Sequence, residues 1–247
     1  MHARGLRLAT TSRPGYGASS RQPGRSVADV TSDIDALLDA LHAERCLIAG
    51  WSGGGPHALA CAARVSRAAG ALIIAGVAPF TAQDLDWMTG MGEENLVEFG
   101  TALQSEVALR RYLEPEREDL RTITAAGIVS SLATILPEVD RAVISDEFGE
   151  DFAAGFHEAV RLGVDGWLDD DLAFTKDWGF SLNEISIPIM LWQGDLDLMV
   201  PFSHGKWLSS QLPGAKSHLQ HGEGHLSIGV GALERMLDEL IATALSG

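Results

Sequence analysis

One serine stands between glycines where a short apolar run gives way to small residues. The stretch AGWSGGG holds Gly50, Ser52 and Gly54 in the spacing G-x-S-x-G. A serine at a sharp strand-to-helix turn exposes its hydroxyl above the carboxyl edge of a sheet, where it can attack a carbonyl carbon. The Gly53 N–H would then face the oxyanion from a helix N-terminus. We expect glycines on both sides because a Cβ there would collide with strand and helix; the alternative is a glycine-rich turn with an incidental serine.

A serine hydroxyl is a poor nucleophile without a base, and that base must be held by a carboxylate. Asp195 and Asp197 both follow the apolar run 187–194, at a strand end where ligands collect in open α/β sheets. One of the two must be an ordinary solvated turn residue, and the residues alone leave the choice open.

Three histidines compete for the role of base near the end of the chain, namely His218, His221 and His225. His225 follows a glycine turn after the last short strand, from which an imidazole can reach back over the sheet. The four-residue spacing of His221 and His225 invites a metal site, but Gly222 and Gly224 disfavour the helix that would put both rings on one face. The sequence therefore predicts no metal.

The hydrophobic pattern predicts strands alternating with helices at both ends of the chain, which is typical of a parallel α/β sheet. Strands are predicted at 6–10, 45–50, 71–76, 187–194 and 216–220, and helices at 26–41, 53–63, 202–212 and 231–245. Residues 80–185 show helical periodicity with scattered aromatic residues instead. We therefore predict a core formed by 1–79 and 186–247, with 80–185 inserted as a helical unit.

The charge of the chain is concentrated in that insertion. The net charge is −16, and residues 80–185 carry 7 Lys and Arg against 23 Asp and Glu. Such a surface repels phosphate backbones, so nucleic-acid binding is excluded. Neither a signal peptide nor an apolar stretch of membrane-spanning length is visible, and two isolated cysteines, Cys46 and Cys61, favour a cytoplasmic protein with reduced thiols.

Other residues near the predicted site are open to plainer interpretations. Trp51 and Met199 flank it and could line a substrate pocket, although large apolar residues at a sheet edge are often core. His57 lies five residues after Ser52, and we expect it to pack or to cap rather than to react. The run 169–171 is Asp-Asp-Asp, and we expect a solvated turn because three adjacent side chains cannot all face one cation.

Four stretches, taken in order, resemble the α/β-hydrolase fold superfamily in its branch of lidded serine esterases. They are SRPGYGAS, GWSGGGPHALA, GDLDLMVP and GEGHLSI, and together they run over nearly the whole chain. The resemblance implies a mostly parallel sheet flanked by helices, with 80–185 as a helical lid over Ser52. The family's acid pattern G-x-x-D-x-x-V-P selects Asp197 over Asp195, and its G-x-G-H pattern selects His225. Relatives with an aspartate nucleophile are disfavoured because Ser52 takes that place.

The chain departs from the family at its beginning. Family members usually have three strands and a His-Gly loop before the R-P-G-x-G turn, and that loop donates a second N–H to the oxyanion. Here about a dozen residues precede Arg13, without a His-Gly dipeptide. Either the chain begins at an internal methionine of a longer protein, or its sheet closes in an unusual way. We expect the first, and we expect this form to be the weaker catalyst, because losing one oxyanion donor costs about 100- to 1,000-fold in rate.

Together the residues and the resemblance predict a serine hydrolase acting on a small, apolar carboxylic ester without a cofactor. Ser52 would attack the carbonyl, His225 would take and return the proton, Asp197 would orient the imidazole, and the Gly53 N–H would hold the oxyanion. The expected partner is a small-molecule substrate, not a nucleic acid or a membrane. Two alternatives are an amide- or iminopeptidase-type hydrolase with the same triad and a truncated, non-catalytic binding protein.

Overall fold

The computed structural model describes residues 1–244, which form a four-stranded parallel sheet and the helices around it. The strands are β1 Cys46–Trp51, β2 Ala68–Ile74, β3 Ile189–Gly194 and β4 Lys216–Gln220, in the order β1-β2-β3-β4. Trp51 pairs with Ile74, and Ile74 pairs with Trp192. The strands therefore end at a common carboxyl edge, and the strands predicted at 45–50, 71–76, 187–194 and 216–220 are confirmed.

Helices connect and flank these strands. They are α1 Val30–Ala40, α2 Gly54–Arg64, α3 Glu93–Ala102, α4 Glu106–Leu120, α5 Ala125–Ser131, α6 Glu138–Val143, α7 Asp146–Ala159, α8 Asp165–Phe174, α9 Phe202–Gln211 and α10 Ser227–Ala244. The helices predicted at 26–41, 53–63, 202–212 and 231–245 are confirmed, although the last predicted residue lies outside the described part. Within residues 1–244 no helix is both long enough and apolar enough to cross a lipid bilayer.

Helices cover both faces of the sheet. Side chains alternate along each strand, so every strand contributes residues to the core on both faces. Ile73 and Leu191 point to one side and are buried with Leu59 of α2. Leu72 and Met190 point to the other side, where they meet α10. Fully buried strands of this kind read as continuous apolar runs, which is why the sequence predicted them.

The chain between β2 and β3 forms helices α3–α8, which have apolar clusters of their own. Leu109 and Leu113 of α4 are fully buried against α8. Ile128 of α5 is buried with Leu136 and with Leu226, which belongs to the loop before α10. The second cluster therefore ties the helical segment to the carboxyl edge of the sheet.

The strand predicted at 6–10 is wrong. These residues have no regular structure, and Leu8 is 66% exposed. A strand requires a neighbour that accepts and donates its backbone hydrogen bonds. Among the described residues no strand pairs with β1 on the side away from β2, so segment 6–10 does not join the sheet.

The solvated turn predicted at 169–171 is also wrong, because these three aspartates lie in α8 and are at most 3% exposed. Asp169 accepts two hydrogen bonds of 2.8 Å from Arg21. Asp170 accepts hydrogen bonds from Arg13 at 2.6 Å, from Tyr16 at 2.8 Å and from Arg25 at 2.5 Å. Successive helix positions point about 100° apart, so each carboxylate meets a different neighbourhood. Ion pairs thus fasten the N-terminal loop to α8.

Replacing Asp170 by Ala should destabilise the protein by about 3–5 kcal/mol, because Arg25 would remain buried without its carboxylate. Burial opposes ionisation of Asp170, but Arg13 and its other charged neighbours outweigh burial and lower the pKa to about 2. The stabilisation is therefore full above the ordinary aspartate range and disappears as pH falls toward 2. Urea unfolding of wild type and Asp170→Ala at several pH values tests this.

The matched control is Asp39→Ala, which removes the exposed partner of Arg67. We expect little change in the urea midpoint for that variant. An equally small change for Asp170→Ala would contradict the assigned role of the buried pair.

Candidate active site

Ser52 lies in the turn between β1 and α2 and has a left-handed backbone conformation. Its φ is +55°, which is costly for a residue with a side chain and persists only where the surroundings hold it. The Ser52 N–H donates to the Ile74 carbonyl of β2 at 2.9 Å, and its own carbonyl accepts from the Gly55 N–H at 2.8 Å. The turn is therefore held from the neighbouring strand and from the helix.

Steric contacts require glycine at position 50 of the turn but, contrary to the prediction, not at position 54. A Cβ on Gly50 would overlap the Gly54 carbonyl and lie 2.7 Å from the Ala58 Cβ, so only glycine fits there. A Cβ on Gly54 would have nothing within 4 Å, so the expected collision at this position is wrong. The close approach occurs one residue later, because a Cβ on Gly55 would lie 2.7 Å from the Gly76 Cα.

Asp197 is buried and receives four hydrogen bonds. Its Oδ1 accepts from the N–H groups of Met199 at 2.9 Å and Val200 at 2.8 Å, and its Oδ2 accepts from Gln193 at 2.9 Å and His225 at 2.8 Å. A buried carboxylate needs such donors to remain charged. Asp197 is thus oriented as a partner for an imidazole.

Asp195 faces outward instead. It pairs at 2.7 Å with His221, whose side chain is 86% exposed. His218 is placed elsewhere again, 2.7 Å from Glu239 of α10. Of the candidate acids and bases, the structure brings together Asp197 and His225.

His225 is 3% exposed, and both its ring and its backbone are held. Burial lowers the pKa of its imidazole, but the charge and hydrogen bond of Asp197, together with the charge of Asp140, outweigh burial and raise the pKa above its usual value. The Trp51 indole N–H donates to the His225 carbonyl at 3.1 Å. The residue before Ser52 thus contacts the loop that carries the histidine.

Trp51 fits this position because Gly229 of α10 leaves room for it. A Cβ on Gly229 would lie 2.7 Å from the Trp51 ring. Trp51 also packs against the cluster of Ile128 and Leu226. The predicted pocket residue is therefore both a wall of the site and a connection between β1 and α10.

The Gly53 N–H lies at the N-terminus of α2 and donates to no group among residues 1–244. The Gly53 carbonyl is 2.9 Å from His57 Nδ1, and the His57 ring packs edge-on against Phe174. Burial lowers the pKa of His57 to about 4, so the ring is neutral at neutral pH and Nδ1 donates. His57 therefore packs and forms a hydrogen bond, in line with the expectation that it would pack or cap. The Gly53 N–H is left available to a ligand.

A cavity of about 620 Å³ opens over these groups and is lined by Ser52, His225, Trp51 and Met199. Its walls are of two kinds. The apolar wall comes from α4, from α7 and from the residues that follow α5 and α7: Leu120, Leu132, Ile135, Phe148, Phe152, Phe156 and Val160. A second group of lining residues, called here the acidic wall, is polar: Glu94, Asn95, Glu98, Tyr112 and Glu116. A ligand here would meet both apolar side chains and carboxyl groups.

Glu98 of the acidic wall and its neighbour Asp171 hold protons more tightly than usual. Burial raises the pKa of Glu98, and burial together with the nearby Glu98 raises the pKa of Asp171. The Trp167 indole N–H donates to Glu98 at 2.8 Å. Within residues 1–244 no cluster of three or more His, Cys, Asp or Glu side chains has the arrangement of a metal site.

Sequence reasoning missed Asp140 and Tyr16. Asp140 of α6 is fully buried and accepts hydrogen bonds from the His225, Leu226 and Ser227 N–H groups at 2.8, 2.9 and 2.9 Å. It lies in an acidic helical stretch without any distinguishing motif. Tyr16 lines the same cavity as Ser52, and its place inside the R-P-G-x-G turn is the signal that points to it.

The arrangement can support nucleophilic chemistry. A strained serine and a buried histidine that is hydrogen-bonded to Asp197 line one cavity, with a free backbone N–H at a helix N-terminus. Among residues 1–244 no hydrogen bond joins the Ser52 hydroxyl to His225; such bonds often tighten only when substrate binds. Fold and site together define an α/β-hydrolase type of protein.

The chain matches the family model described as alpha/beta hydrolase fold over residues 2–232, and it therefore belongs to that family. It is similar to the pimeloyl-[acyl-carrier protein] methyl ester esterase of Aromatoleum aromaticum, with 25% identity over 86% of this chain and 77% of the relative. The protein of the same name from Nitrosomonas europaea is 24% identical over 89% of this chain and 78% of the relative.

Solved structures show the same fold. A hydrolase from Pseudomonas aeruginosa PA01 superposes with a TM-score of 0.62 and 21% identity, covering 94% of this chain and 77% of that protein. This likeness confirms the predicted α/β architecture.

Replacing Gly50 by Ala should destabilise the protein by about 1–3 kcal/mol, because the new methyl group would overlap the Gly54 carbonyl. Gly54→Ala is the matched control, since its methyl group has open space, and it should leave stability nearly unchanged. Urea unfolding of both variants measures the difference. Equal midpoints would show that the close approach of β1 and α2 is not what requires glycine.

Proposed function

We propose that this protein is a serine hydrolase that cleaves carboxylic esters through an acyl-enzyme intermediate. The observation that carries the proposal is the 2.8 Å hydrogen bond between His225 Nδ1 and the buried Asp197, in the cavity that Ser52 lines. Nδ1 donates to Asp197, so Nε2 is left as the acceptor for the hydroxyl proton.

Each step follows from groups already described. His225 Nε2 accepts the proton while Ser52 Oγ bonds to the carbonyl carbon, and Asp197 stabilises the imidazolium that forms. The Gly53 N–H donates to the oxyanion, assisted by the dipole of α2. His225 then returns the proton to the leaving alcohol, and a water molecule repeats the sequence to release the acid.

The cavity supports a substrate with an apolar acyl group. Aromatic and aliphatic side chains of α4, α7 and the segment after α5 provide a surface that would bury hydrocarbon, and binding would be driven by removing that surface from water. Trp51 and Met199, placed in the cavity wall next to Ser52, would contact the group nearest the scissile bond. We propose a small ester with a neutral acyl chain.

We also propose that residues 80–185 act as a lid, with 1–79 and 186–247 as the core. In support, α5 and α7 contribute to the cluster that packs on Trp51, Met199 and Leu226 beside the site. The two ends of the segment pack on the core instead. Trp87 and Phe174 are buried with Leu59 and Ile73 on the face of the sheet that α2 covers.

The first test is labelling with a fluorophosphonate probe, followed by mapping of the modified peptide. We expect modification of Ser52 in the wild type and none in Ser52→Ala, because only an activated serine reacts rapidly. Absence of labelling in the folded wild type would refute the enzyme and favour a non-catalytic binding protein.

The neighbouring aspartates provide a matched pair for the same assay. Asp197→Asn should slow ester hydrolysis by roughly 10⁴-fold, since the imidazole loses the partner that sets its tautomer. Asp195→Asn alters only an outward-facing pair and should react at the wild-type rate. The reverse outcome would assign the acid to Asp195.

The acidic wall should discriminate against anionic esters. Within residues 1–244 neither Glu94 nor Glu116 has a Lys or Arg partner within 4.0 Å, and Glu94 Oε2 is buried without a hydrogen bond. We expect kcat/KM for methyl hexanoate to exceed that for monomethyl adipate at neutral pH by about tenfold or more, because like charges repel in a cavity of low polarity.

Glu116→Gln should narrow that ratio. Glu118→Gln is its control, because Glu118 lies on the outer side of α4, where it pairs with Arg117 and Arg121. A ratio that is the same in all three proteins would show that the acidic wall does not contact the acyl chain.

A further inference from the structure

The three N–H groups bound by Asp140 belong to the start of α10 and to the residue that carries the imidazole. The first N–H groups of a helix have no partner inside that helix. Here a carboxylate from α6, a distant element, satisfies those of Leu226 and Ser227, and its second oxygen accepts from the His225 N–H at 2.8 Å. Asp140 thus caps α10 and also holds the backbone of His225 by a hydrogen bond.

Gly224 shows how tightly this contact is built. A Cβ on Gly224 would overlap the Asp140 carboxyl group, whose atoms are its three nearest neighbours. The φ of Gly224 is not in the left-handed region. A side chain is therefore excluded by the proximity of Asp140 and not by backbone strain.

The backbone of His225 is consequently held on both sides. Asp140 accepts its N–H, and Trp51 donates to its carbonyl at 3.1 Å. Its ring is held by Asp197. Among the residues that the structure describes, the titratable groups that face His225 are Asp197, from the loop after β3, and Asp140, from α6. Trp51 and Leu226 contribute no charge.

We propose that Asp140 is a positioning residue for His225: it fixes the loop so that the imidazole faces Ser52, and its negative charge favours the imidazolium formed during the reaction. The inference rests on the proposed function for its kinetic consequence. It gives the helical segment a part in assembling the site besides covering it.

Asp140→Asn tests both parts of the role. The asparagine keeps the size but loses the charge, and its NH₂ group would face N–H donors. With 4-nitrophenyl butyrate we expect kcat to fall roughly 10- to 100-fold with KM little changed, because a small displacement of a catalytic group is costly.

The pH dependence separates this role from a merely structural one. Because the charge of Asp140 helps to raise the pKa of His225, its removal should move the acid limb of kcat/KM to lower pH. An NMR titration of the His225 imidazole should show the same direction in the free protein. A folded Asp140→Asn with an unchanged His225 titration or an unchanged kcat would overturn the proposal.

Asp29→Asn is the control, since Asp29 caps the turn before α1 through Ser26, far from the cavity. Both readouts should match the wild type. If Asp140→Asn does not fold, Gly224→Ala is the variant that tests the proposal. Its methyl group would displace the Asp140 carboxylate from the His225 N–H while the negative charge remains. We expect a folded Gly224→Ala protein with reduced kcat, and wild-type kcat there would overturn the proposal.

The titration also separates the two proposals. A wild-type protein that neither hydrolyses the ester nor reacts with the fluorophosphonate would refute the proposed function. The NMR titrations of wild type and Asp140→Asn would still decide whether Asp140 sets the state of His225.

Discussion

A carboxylate buried beside an imidazole is stable only when the chain around it supplies enough donors, and the site depends on meeting that condition at Asp197. The loop after β3 bends so that the Met199 and Val200 N–H groups point at one oxygen. Gln193 reaches the other oxygen while also donating to the Val200 carbonyl at 2.8 Å. Gly205 of α9 has no Cβ because one would lie 2.5 Å from the Gln193 side chain. The orientation of the carboxylate is thus built into β3 and α9.

The parallel sheet brings together residues that are far apart in the chain. β1, β3 and β4 all end at the same edge, so the turns that follow them deliver Ser52, Asp197 and His225 to one region. The helices between β2 and β3 close over that edge through the cluster of Ile128 and Leu226. The cavity is therefore bounded by two kinds of structure, a rigid sheet edge and a layer of helices with its own core.

Much of this was predictable because it depends on local patterns. Continuous apolar runs predict the strands, and the helix predicted from residue 26 begins there, where Ser26 and Asp29 form a capping box. The family pattern selects Asp197 over Asp195, and Asp197 is the aspartate whose side chain lies 2.8 Å from His225 Nδ1.

The failures involve contacts between distant segments. The segment at 6–10 has strand-like residues, but a strand needs a partner that a local pattern does not reveal. The Asp-Asp-Asp run predicts a solvated turn because three adjacent side chains cannot all face one cation, and a local pattern does not reveal arginines from another segment. In α8 they face three directions, and Arg13, Arg21 and Arg25, all from the N-terminal loop, neutralise two of them. The role of Asp140 is hard to predict for the same reason, because its three hydrogen-bond partners lie more than 80 residues away in the chain.

The indole of Trp51 limits how this protein can evolve. In G-x-S-x-G the position before the serine is written as free, yet here it hydrogen-bonds the His225 carbonyl and occupies the space left by Gly229. A smaller residue would open a void beneath α10, and a side chain at 229 would require Trp51 to change as well. Positions 51 and 229 can therefore change only together. In this protein the unspecified position before the motif serine is constrained by Gly229.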